Sequence, residues 1–206
     1  MPGRFSFLPV ALILFAPAPI VAQVCLGSPT AAGQFAVTAE GTLTERSNDF
    51  GLGVEANLPG PLAFRAGVTV EDRDDDNRVT RFEGRGSYDL RSNGISICPV
   101  GGADYSRQSE SEQSTTVLRI PIGLSVGGRL SLGDTGPAVL PSLRAGIAST
   151  RTTVDLQGTS DSTTRQSFFV VGGGSLSVDD LFVRAEAGVD SRRDEPFYTV
   201  RVGMRF

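Results

Sequence analysis

Carboxylates, arginines and two cysteines dominate the reactive side chains of this chain, and histidine is absent. Without histidine, no side chain titrates near neutral pH at its ordinary value. A serine beside an acid alone lacks the base that takes up a proton in a transition state. No enzymatic activity is therefore expected. One stretch approaches a cation loop. Asp72, Asp74 and Asp76 stand at alternate positions, with Glu83 twelfth in the run, and oxygen ligands at that spacing suit calcium. Asn77 stands where that loop requires glycine, and both flanks have strand periodicity rather than helix periodicity. The stretch therefore reads as a solvated acidic loop. No metal is expected, and Asp72, Asp74 and Asp76 are the only candidate for weak divalent-ion binding.

The elements that must position the other charges are strands. Apolar residues recur with period 2 along almost the whole chain, which side chains pointing to alternate faces produce. Phe35, Val37, Ala39 and Leu43 alternate with polar residues, as do Phe50, Leu52, Val54 and Ala56. The same holds for Leu118 to Val126, for Leu181 to Val189 and for Tyr198 to Phe206. Turn signals at Pro59-Gly60-Pro61 and Ser92-Asn93-Gly94 separate such runs. Ten strands are expected, eight if the Pro99 to Gly102 region, which suggests a bend or bulge, is not one strand. The even-numbered connections look short. The odd-numbered ones at 72–78, 106–113 and 152–165 read as longer polar loops without an aromatic cluster.

The first 22 residues read as a signal peptide. Arg4 gives the positive start, Phe7 to Phe15 the apolar run, and Ala22 a small residue before Gln23. The expected organisation is a leader over 1–22, an N-terminal segment over 23–32 and a barrel over 33–206. After export the chain meets an oxidising compartment, where cysteines pair. Net charge is −4, and all basic residues are arginine. That balance lacks the footprint of a nucleic-acid binder.

The last residues carry a resemblance. Tyr198, Val200, Val202, Met204 and Phe206 share one face, and the chain given ends on that phenylalanine. This resembles the closing strand of bacterial outer-membrane β-barrels, in which a terminal aromatic helps the assembly machinery recognise its substrate. Ile120-Pro121-Ile122-Gly123-Leu124 also resembles a phrase common in small outer-membrane barrels. The resemblance implies an all-β, antiparallel, up-and-down transmembrane barrel in the outer membrane of a Gram-negative-type bacterium. It further implies a monomer without cofactor, whose partners are outer-membrane lipids, lipopolysaccharide and, during biogenesis, the barrel-assembly machinery. Barrel enzymes resembling omptin proteases, phospholipases or lipid A acyl-modifying enzymes use histidine, which this chain lacks.

A soluble lipocalin-like barrel shows the same alternation with its faces exchanged. Glycine separates the two. Gly51, Gly53, Gly67, Gly123, Gly127, Gly146, Gly188 and Gly203 all fall on the polar face, and a narrow interior needs small residues there while a solvated face does not. The polar face then lines the bore. It carries Glu40, Glu55, Glu71, Glu83, Asp89, Asp104, Glu186 and Asp190 against Arg65, Arg85, Arg119, Arg129, Arg144, Arg184, Arg201 and Arg205. Glu186 and Arg201 are expected directly opposite one another across the last hairpin. Phe50, Tyr105, Phe168 and Tyr198 are expected in the interfacial girdle, and Arg192-Arg193 near lipopolysaccharide phosphates. Cys25 and Cys98 both fall near the periplasmic end, where a disulfide would pin the N-terminal segment to the lower rim; two free thiols are the alternative. The role expected is structural or surface-interacting. A narrow channel for small solutes or ions is the alternative, and a soluble periplasmic ligand-binding barrel the second.

Overall fold

In the computed structural model, the described residues are 25–26, 33–45, 47–73, 78–92, 95–110, 113–131, 137–156, 159–192 and 195–206. The leader expected over 1–22 lies outside them, as do Asp74 and Asp76. Ten antiparallel strands follow one another around a closed barrel. They are β1 Phe35–Leu43, β2 Ser47–Asn57, β3 Leu62–Arg73, β4 Arg78–Tyr88 continuing as Leu90–Ser92, and β5 Ile95–Glu110. Then come β6 Gln113–Gly128 continuing as Leu130–Ser131, β7 Ala138–Leu156, β8 Thr159–Val178, β9 Leu181–Asp190 and β10 Phe197–Arg205. β10 pairs back onto β1 from Ala36↔Arg205 to Leu43↔Tyr198, which removes both sheet edges.

The faces are those expected from alternation. Phe50, Leu52, Ile122, Ile147, Phe168 and Tyr198 are exposed on the outside, whereas Thr38, Glu55, Thr69, Ser125, Arg184 and Arg201 are buried within. Three expectations need correction. No bulge interrupts β5. Ile97 pairs with Leu90 and Val100 with Ser87 in one continuous register, and Pro121, which has no N–H to give, merely leaves a gap in the ladder opposite Gly102. Nor do β5 to β8 give way to loops at 106–113 and 152–165. They continue as strands to Glu110, Gln113, Leu156 and Thr159, so a polar four-stranded sheet projects beyond one end of the barrel.

The third correction concerns the last hairpin. Arg184, not Glu186, stands opposite Arg201, and Glu186 stands opposite Thr199. The register that wins places Phe182 opposite Gly203 and Phe197 opposite Gly188. Each ring then lies over a glycine, where an added Cβ would meet ring carbons. The same complementarity recurs around the bore. Glu40 faces Gly51, Glu83 faces Gly67, Arg85 faces Gly102, Phe169 faces Gly146 and Glu186 faces Gly173 across neighbouring strands. Long inward side chains are thus seated on glycines, and interior packing selects the register.

Gly146 and Gly84 test this rule. A Cβ on Gly146 would lie 2.6 Å from Gly123 Cα and 2.9 Å from the Phe169 ring, while one on outward-facing Gly84 meets nothing within 4 Å. Gly146→Val is expected to cost about 1–3 kcal/mol of stability. Gly84→Val is expected to be close to neutral. Urea titration of the folded, heat-modifiable gel band measures both.

Candidate functional site: the charged bore

The bore is where the sequence gathers its charges, and the structure links most of them into one chain around the wall. Arg201 is 2.6 Å from Glu40, Glu40 is 2.5 Å from Arg65, and Arg65 is 2.7 Å from Glu83. Glu83 approaches Arg85 at 3.9 Å; Arg85 is 2.5 Å from Asp104, which lies 3.2 Å from Arg119; and Arg119 reaches Asp190 at 2.9 Å. Buried Glu55 sits between Arg201 at 3.5 Å and Arg65 at 4.0 Å. A second group is a triad on β7 and β9, in which Glu186 lies 2.6 Å from Arg184 and 3.6 Å from Arg144. Across both groups, six arginines face six carboxylates. The balance matters because an uncompensated charge in a water-poor interior is costly, whereas a forked guanidinium satisfies several carboxylate oxygens together.

Not every expected member joins. Arg129 is exposed, in the break between the two segments of β6 at the lower end, beyond the enclosed part of the bore. Arg205 is half-buried near the same end, where its backbone N–H donates to the Asp180 carbonyl at 2.8 Å. Asp89 lies in the break within β4 and accepts a hydrogen bond from Ser96 Oγ at 3.2 Å. Glu71 belongs to a separate group nearer the outer mouth, with Arg81 at 2.5 Å, and Asp49 lies 3.8 Å from the same guanidinium. Neither Arg81 nor Asp49 was expected inside. Both follow the inward parity of their strands, and carrying the alternation two residues farther along β2 and β4 would have found them.

Polar cavities run through this wall. An outer one of about 230 Å³ is lined by Asp49, Thr69, Arg81, Ser106 and Arg192. An inner one of about 180 Å³ is lined by Arg65, Arg144, Glu186 and Arg201, with apolar Val100, Phe169 and Val171 below. They share Glu40, Glu83, Arg85, Arg119, Asp190 and Thr199, so the polar space continues from one to the other. Arg119 also lies over the Phe169 ring, its guanidinium carbon 5.7 Å from the centroid.

Cys25 and Cys98 are joined in a disulfide, their Cα atoms 5.7 Å apart. The bridge is not on the rim. Cys25 and Leu26 are 1% and 4% exposed and pack inside the bore against Ala63, Cys98 and Val100. Asp89 approaches both sulfurs, but bridged sulfurs are not the thiolates that metals take. Of the acidic-loop candidates, Asp72 is exposed and lies 3.7 Å from Arg78; Asp74 and Asp76 are outside the described residues. The terminal residues Tyr198, Val200, Val202, Met204 and Phe206 are exposed on the outer face. Phe206 also closes the seam, stacking on Phe35 at 5.2 Å and donating its N–H to the Phe35 carbonyl at 2.9 Å.

Removing one member of the triad leaves like charges facing each other in the bore. Glu186→Gln is expected to lose about 3–5 kcal/mol of stability. Asp72→Asn, at an exposed pair, is expected to change it by less than about 1 kcal/mol. Denaturant midpoints of the two variants in detergent micelles make the comparison.

No family model matches the chain, and no curated protein matches it. Solved outer-membrane barrels are similar to it. The attachment invasion locus protein Ail of Yersinia pestis is 11% identical, with a TM-score of 0.43 over 85% of this chain and 99% of that one. The KdgM porin is 13% identical, with a TM-score of 0.43 over 83% and 99%. The N-terminal barrel domain of Pseudomonas aeruginosa OprF is 12% identical, with a TM-score of 0.38 over 85% and 98%.

Proposed function

We propose that this chain spans the outer membrane as a non-enzymatic, monomeric barrel with a structural and surface-interacting role. One observation carries the reading. On each of β5 to β8 the outward face changes from apolar to polar at a point part-way along the strand. Below it stand Tyr105, Leu118, Ile147 and Phe168, each exposed or nearly half-exposed and each followed inward along its strand by further apolar residues. Above it the outward residues are Arg107, Thr116, Ser149 and Gln166. An apolar belt about 25 Å tall with aromatic residues at its border suits lipid, and strands of about ten residues cross it when tilted. Water would penalise so much exposed apolar surface in a soluble barrel. The polar sheet of β5 to β8 then stands outside the cell, beside lipopolysaccharide. Arg192, at the outer mouth, is suited to its phosphates; Arg193 lies outside the described residues. The outer face of β10, exposed from Tyr198 to Phe206, is the surface suited to recognition by the assembly machinery.

The second reading, a channel for small solutes or ions, is favoured by the continuity of the two polar cavities. The paired charges that line them would act as its filter.

Lipid contact is tested by placing tryptophan, which the chain lacks, at Leu52 or Thr164. In vesicles of brominated lipid, fluorescence of Leu52→Trp is expected to be strongly quenched and that of Thr164→Trp little changed. The reverse pattern, or no quenching in either, would overturn the membrane reading. An epitope inserted between Leu156 and Thr159 is expected to bind antibody on intact cells, and labelling only after lysis would exclude a surface role.

A further inference from the structure

The lower half of the bore is filled unequally by its own wall. On the β7 to β10 side the wall supplies bulk, with Leu140, Phe182 and Arg184 all nearly inaccessible. On the β3 to β6 side it supplies little. Ala63 stands opposite Ser87, Ser87 opposite Val100, and Cys98 opposite Ser125, all buried. Small side chains in register on adjacent strands leave room, and close packing requires that something fill it. Cys25 and Leu26 do so. They form one apolar cluster with Ala63, Cys98 and Val100, and Leu26 joins Val100, Phe169 and Val171 in the apolar part of the inner cavity's lining.

We infer that the bore is an ion path held shut by a disulfide latch, with Leu26 as its apolar seal and the Cys25–Cys98 bridge fixing that seal to the β5 wall. This rests on the channel reading above and adds its gate. A hydrophobic constriction closes a narrow polar path by expelling water from it. When the seal leaves, it uncovers Ala63 and Val100, flanked by Asp89 beside the sulfurs and by buried Ser87 and Ser125 on the neighbouring strands, and the path above is already lined by charge. The path would then pass small hydrated ions. The latch is set by oxidation. Two thiols each give up a proton and an electron to a disulfide such as oxidised glutathione, which becomes two molecules of the reduced thiol as the Cys25–Cys98 bond forms.

The test is single-channel conductance in a planar bilayer, with every sample shown to be folded by its heat-modifiable gel migration. Protein refolded with oxidised glutathione is expected to be silent. Protein refolded in dithiothreitol is expected to flicker, because Leu26 then leaves its pocket intermittently. The Cys25→Ser, Leu26→Asp double variant is expected to show sustained discrete openings. Cys98→Ser, which leaves Leu26 intact, serves if that variant does not fold, and should behave as the reduced protein does. Silence in folded reduced protein and in the folded variants would overturn the latch, because the walls alone would then close the bore. Equal openings in oxidised and reduced protein would overturn it too, since the seal would not be sealing. The quenching experiment on Leu52→Trp is independent of all these outcomes, so the latch can fail while the membrane barrel stands.

Discussion

Closure of β1 onto β10 is the constraint on which the rest of this molecule depends. A sheet edge in hydrocarbon leaves backbone N–H and C=O groups without water, so only a closed ladder can span a bilayer. Here the seam runs from Ala36↔Arg205 to Leu43↔Tyr198 and ends in the stacked pair of Phe35 and Phe206. Ten strands closed in this way enclose a bore only slightly wider than side chains can fill. That width decides what may point inward. Many of the long inward side chains sit where the neighbouring strand gives way: Phe169, Phe182, Phe197, Glu40, Glu83, Glu186 and Arg85 each face a glycine.

Charge obeys the same limit. Most of the bore's carboxylates and guanidinium groups are screened from bulk water, so they neutralise one another locally. The continuous chain from Arg201 through Glu40, Arg65 and Arg85 to Asp190 does this across sequence separations of up to 161 residues. It stitches the seam strands to the middle of the barrel. Ion pairs of this kind contribute less net stability than their short distances suggest, because desolvation offsets much of the attraction. Their effect is to hold strands distant in sequence in one arrangement around the bore.

Period-2 alternation made the fold legible in the sequence. Parity sorted each strand into two faces, the glycines on the polar face marked it as the inner one, and the turn signals between runs gave ten strands with eight as the alternative. Register depends on more. Glu186 was expected against Arg201 from a hairpin centred between Ser191 and Pro196, yet the observed register is shifted by two residues and seats Phe182 on Gly203 and Phe197 on Gly188. Arg81 and Asp49 were missed because the acidic loop and turn residues beside them masked the parity of the strand ends. The cysteine pairing was legible from compartment, but burial of Leu26 was not. No local pattern reveals that a residue far from any strand fills a hollow left by Ala63, Ser87 and Ser125. Strand extension beyond the apolar belt was hidden for a similar reason: Ser and Thr at 149–164 look like loop composition, and only pairing between β7 and β8 shows otherwise.

The wall of the barrel is not equally tall all the way round. β5 to β8 continue to Glu110, Gln113, Leu156 and Thr159, whereas β1, β2 and β10 stop at Leu43, Ser47 and Phe197. On the low side, the Glu45 N–H donates to Glu195 Oε2 at 3.0 Å and ties two neighbouring turns together. The mouth is therefore a spout with a high back and a low lip. Viewed down the barrel axis, the molecule has a front and a rear: the tall polar sheet of β5 to β8 screens one bearing, and the low turns of β1, β2 and β10 leave an open threshold on the other.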